Sequence, residues 1–67
     1  MHKKVEHKKV GEEITVKCDE YGQAEHACWK KFRELKSGGL LANAFLIKTI
    51  SIFENGSGEA IFQPVQV

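Results

Sequence analysis

Hydrophobic and polar positions along this 67-residue chain fall into stretches of two periods, one alternating and one helical. Residues 12–18 alternate, with Ile14, Val16 and Cys18 on one side against Glu13, Thr15 and Lys17 on the other. That is the period of a strand with one wet face. From Asp19 or Glu20 to about Lys36 the period changes. At 100° per residue Tyr21, Ala24, Cys28, Phe32 and Leu35 share one stripe, opposite Gln23, His26, Lys30 and Arg33. This is a helix that covers a sheet with one face. Its acidic start suits the helix dipole, Gly22 weakens the first turn, and Ser37-Gly38-Gly39 offers a glycine cap at the end.

Residues 44–53 and 59–67 read as two strands joined through Asn55-Gly56-Ser57-Gly58, a hairpin signal. Pro64 has no N–H to give to a ladder, which favours an outer position for the last strand. On 44–53, strict alternation sets Phe45, Ile47 and Phe53 on one face and Leu46, Ile50 and Ile52 on the other. Leu40–Asn43 fits either a loop or a strand extension. Residues 2–10 repeat His-Lys-Lys-Val around Glu6, as a mobile basic arm or an edge strand kept soluble by lysines. Gly11 offers a turn of that segment back onto 12–18.

The expected fold is therefore α+β. A single helix packs on a small, mostly antiparallel sheet of three or four strands, in the order of an optional strand, then β-α-β-β. Sixty-seven residues make one domain, 1–67, near the lower limit for a self-sufficient core. No apolar run reaches the ~18–20 residues of a membrane span, and no signal-peptide core follows the start. The expected setting is the cytoplasm, that of the host if the chain is phage-encoded.

Charge changes the picture more than size does. Nine of the ten Lys and Arg residues lie at or before Lys36, although the net charge is only +1. On the helix, Lys30 and Arg33 with His26 form an outward stripe, Lys36 flanks the packed face, and Lys30 has Glu34 four residues on. Such a stripe meets phosphates, an acidic protein surface, or only water. Trp29 falls at the rim of the apolar stripe, where it either caps the sheet edge or serves as an interface anchor. Partner contacts are thus expected at His26, Trp29, Lys30, Arg33 and Lys36. Nucleic-acid contacts are expected, if any, at Lys3, Lys4, Lys8 and Lys9 together with the helix stripe.

Chemistry is scarce. His26 and Cys28 lie about 200° apart on a helix, and no closely paired Cys or His ligands appear, so no metal site is expected. No nucleophile elbow, glycine-rich phosphate loop or Cys–His pair is present, and no cofactor motif. Cys18 and Cys28 read as reduced, buried thiols held too far apart to bridge. The expectation is a non-enzymatic binder. One helix hides one sheet face, so the second apolar face of 44–53 calls for a partner, a second copy or the N-terminal arm.

Strand 12–18, the Asp19-x-Tyr21-x-x-Ala24-x-x-Ala27 helix entry, the Gly-Gly exit and the hairpin together give a layout that resembles small phage-encoded α+β proteins. Some anti-CRISPR proteins and some inhibitors of host RNA polymerase are of this kind. The likeness covers nearly the whole chain but rests on element order and length. It implies a stoichiometric inhibitor or adaptor acting on a protein of a nucleic-acid-handling machine. The alternatives are a direct nucleic-acid-binding module and a structural homodimer formed through the sheet face. No site residues carry over from the resemblance.

Overall fold

A computed structural model describes residues 7–67. Lys3 and Lys4 therefore lie outside the described residues. The elements are β1 (Lys8–Lys9), β2 (Ile14–Cys18), a 3-10 turn (Tyr21–Gln23), α1 (Ala24–Ser37), β3 (Ala44–Ile52) and β4 (Gly58–Gln66). One helix packs on a four-stranded antiparallel-paired sheet, an α+β fold.

Strand β4 is the hub. It pairs antiparallel with β3 on one side and with both β1 and β2 on the other. Strands β1 and β2 follow one another along the same edge: Lys9 opposes Val65 and Ile14 opposes Phe62. Gly11, at φ +77°, therefore kinks one interrupted strand and does not turn a hairpin. The last strand is also central, where the lone proline argued for an outer place.

The helix termini follow their local chemistry. With Gly22 in it, the first turn is a 3-10 turn and the α-helix starts at Ala24. No side chain caps that start. The other end is a Schellman motif. Gly39 (φ +106°) donates to the Lys36 carbonyl at 3.1 Å, and Leu40 donates to the Leu35 carbonyl at 3.0 Å. Leu35 and Leu40 both pack on the core, the apolar contact that accompanies this cap. Leu40–Asn43 is a loop. The hairpin turn closes with Gly56 N–H to Phe53 O (3.0 Å) and Phe53 N–H to Ser57 O (2.9 Å), with Gly56 at φ +87°.

The core joins Ala24, Cys28 and Phe32 of the helix to Ala60 and Phe62 of β4 and to Ala42. Val10, Ile14, Val16 and Phe45 close its margins. Each fully buried large side chain, Phe62 above all, contributes about 1.5–3 kcal/mol. Tyr21 stays exposed, one turn short of the stripe it was expected to join.

A bulge re-sorts the faces of β3. Ile47 opposes Phe62 but Thr49 opposes Ile61, which leaves Lys48 as an extra residue. Directly opposed residues share a face. Ile50 and Ile52, opposite Ala60 and Gly58, therefore join Phe45 and Ile47 on the helix side. Strict alternation had put them on the other face. The far face of β3 carries Leu46, Thr49 and Ser51, so it is mostly polar there, and the Lys48–Glu13 ion pair (2.9 Å) spans β4. The expected second apolar face of β3 does not exist.

Candidate interaction surface

The excess apolar surface lies beyond the helix, on the same side of the sheet. α1 sits chiefly over β2 and β4 and only partly over β3. Ile47, Ile50 and Ile52 consequently remain exposed, Ile52 at 61%. Trp29 begins this strip. It packs edge-on against Phe45 (centroids 5.1 Å) and Phe32 (6.2 Å), yet stays 50% exposed. Phe45 also stacks on Phe62 at 5.0 Å, so the indole stands on an aromatic ladder rooted in the core. Beside it is a shallow groove of about 370 Å³, lined by Glu25, Trp29 and the β3 stretch from Ala44 to Ile47.

The basic residues divide among three places. His26, Lys30 and Arg33 are exposed on the outer helix face, as their spacing requires. Lys30 also lines a second groove with Thr15, Lys17, Lys31 and Glu34, between α1 and β2. Glu34 approaches Lys31 at 3.8 Å, an i,i+3 contact where an i,i+4 pair with Lys30 was expected. Exposed pairs of this kind contribute little. Lys8 and Lys9 are exposed on β1, with Leu41 and Gln66, opposite the C-terminal end of β4. They do not continue the helix stripe.

Lys36, exposed like the others, also makes a contact within the fold. Its ammonium donates to the Ala42 carbonyl at 2.9 Å and lies 6.0 Å from the Phe32 ring centroid. It ties the end of α1 to the loop entering β3. Ala42 is wholly buried, so this contact satisfies a carbonyl that water reaches poorly.

The two cysteines are free. Cys28 is fully buried and Cys18 only half-buried. Burial pushes the Cys28 thiol above its ordinary value, with smaller contributions from nearby Cys18 and Glu25. A raised, buried thiol is a poor nucleophile. Among the described residues, no group of three His, Cys, Asp or Glu side chains is placed to hold a metal ion. No described helix is long and apolar enough to cross a membrane.

Sequence reasoning located Trp29 at the rim but missed the row Ile47, Ile50 and Ile52 as one surface. The Lys48 bulge leaves no mark in the hydrophobic pattern. Comparison with protein families, with characterised proteins and with solved structures returns no match.

Proposed function

We propose that this chain is a small, non-catalytic binding protein whose contact with another protein centres on Trp29. The observation that carries the reading is the half-exposed indole standing on Phe45 beside an apolar groove. Aromatic anchors of this kind, rigidly backed and partly solvated, dominate interface energies. His26 and Arg33, three and four residues from Trp29 on the same helix, flank the anchor, and with Lys30 on the exposed face they steer an acidic partner. The element order, which resembles that of small phage-encoded inhibitors, supports a stoichiometric inhibitor or adaptor acting on a protein of a nucleic-acid-handling machine in the cytoplasm of a host.

The test is affinity capture on the immobilised chain, run at low and high salt beside the Trp29→Ala variant. A protein retained at high salt by the parent and lost by the variant is the expected result. Equal capture by both, or none by either, overturns the reading.

Direct nucleic-acid binding is a second reading, favoured by the groove where Lys17, Lys30 and Lys31 gather around Thr15. It requires affinity for a duplex to fall with salt at a slope of about 0.9 per neutralised phosphate. Lys30→Ala would reduce that slope by about one. Binding that salt does not weaken excludes it.

A further inference from the structure

We infer that two copies of this chain join edge to edge through β3, antiparallel, about a two-fold axis at Ser51. Strand β3 is nine residues long and pairs with β4 on one side. Among the described residues no strand pairs with its other side. A long apolar edge of this kind is a template for another strand. The lysine that would guard it, Lys48, is drawn across β4 to Glu13.

The backbone phase says which groups are free. Phe53 donates to Ser57, so its polar groups face β4. Those groups alternate along a strand, which turns the N–H and C=O of Ile52 and Ile50 outward and those of Ser51 inward. The Ser51 carbonyl agrees, since it lies 3.2 Å from where a Cβ on Gly58 would stand.

An antiparallel pair related by a two-fold keeps the same face of both sheets on one side, so opposed residues must share a face. Centring the axis on Ser51 meets this condition. It sets Ile50 opposite Ile52 of the second copy, twice, and the outward groups of both residues then exchange hydrogen bonds in both pairs. The same register sets Thr49 opposite Phe53, while Lys48 stays turned toward Glu13 and Glu54 lies in the turn beyond β3. Centring it on Ile50 would instead oppose Lys48 to Ile52. The stretch from Thr49 to Phe53 is thus complementary to itself, apolar against apolar at Ile50 and Ile52 and without a charge to repel its copy.

The lysines of β1 and β2 do not oppose the union. They lie on the other side of β4 from β3. The Trp29 groove is lined by Ala44–Ile47, outside the paired segment, so the pairing goes beyond the partner reading and does not depend on it. It also differs from a dimer through the sheet face, because the contact is a strand edge.

The test is mass in solution by light scattering or sedimentation, on the full chain from micromolar to millimolar concentration. The expected result is two chains for the parent. Ile50→Lys and Ile52→Lys, both on exposed side chains, should give one chain with unchanged circular dichroism. Ser51→Cys probes the register. Residues opposed without mutual hydrogen bonds lie about 4.5 Å apart at Cα, within disulfide range. Mild oxidation should link two Ser51→Cys chains, while Thr15→Cys on β2, and the parent, should stay unlinked. A monomer at every concentration, a dimer indifferent to both lysines, or one that Ser51→Cys fails to cross-link overturns the proposal. A monomer that still captures a protein through Trp29 removes the dimer alone, and a dimer that captures nothing removes the partner reading alone.

Discussion

Val10 donates its backbone N–H to the carbonyl oxygen of Pro64 at 2.9 Å. In an extended strand the N–H and C=O positions of one residue point the same way, so the proline nitrogen faces the same side. There the neighbouring edge is interrupted between β1 and β2, and no ladder donor is required. The break in one strand is what admits proline to the middle of the sheet.

The break is held by Gln63, whose amide nitrogen lies 2.8 Å from Pro64 O and 3.2 Å from Gly11 O. The residue is only 4% exposed. Gln63→Leu removes the donor to both carbonyls and leaves that of buried Pro64 with Val10 N–H alone. The expected loss is about 1–3 kcal/mol, read as a lower urea midpoint with unchanged m-value.

Gly58 leaves little room for a side chain. A Cβ there would stand 3.2 Å from Ser51 O and 3.3 Å from both Cys18 Sγ and Tyr21 Cα. Two of these three atoms are backbone. Gly58→Ala should destabilise the fold by about 1–3 kcal/mol. Gly22→Ala, where the new methyl meets nothing, should stabilise it by about 0.5–1 kcal/mol. Thermal unfolding of the two variants in parallel checks the contrast.

Lys36 separates holding the fold from binding. Lys36→Met keeps packing on Phe32 but removes the donor to Ala42. Stability should fall by about 1–2 kcal/mol, while capture of a partner through Trp29 is unchanged at temperatures where the variant is folded. An unchanged melting curve would show that the Ala42 contact adds nothing to stability.

The two thiols should react in order. Half-buried Cys18 meets a thiol reagent first, and buried Cys28 only as fast as the fold opens. Because the folded pKa of Cys28 is raised, the folded state keeps a proton that the unfolded state gives up. The associated stability is fully present below the unfolded thiol's pKa and is lost as pH rises toward the folded one. Urea midpoints should therefore decline above about pH 9. Cys28→Ala should flatten that decline, which separates it from the effect of lysine and tyrosine titration.

Much of this architecture is legible in local signals. The Ser37-Gly38-Gly39 stop and the Asn55-Gly56 turn appear where glycine geometry requires them, and Ile14, Val16 and Cys18 point inward as their alternation says. Pro64 misleads because its cost depends on a gap in a strand some 50 residues away, which no local rule can weigh. The faces of β3 mislead for a similar reason. One extra residue, Lys48, reverses the phase of everything after it, and the register that reveals it belongs to β4. The Lys36 tether was not legible because its partner is a main-chain carbonyl, and main-chain acceptors have no sequence signature.

The hub position of β4 also orders events in time. Every strand pairing among the described residues includes β4, and β4 begins at Gly58. As the chain leaves the ribosome, β1, β2, α1 and β3 emerge with no ladder to join. The 14-residue helix is marginal by itself, and the sheet can condense only when residues 58–66 arrive. Folding is then a single late step dominated by distant pairings, with β3 waiting as an open apolar strand until its first partner appears.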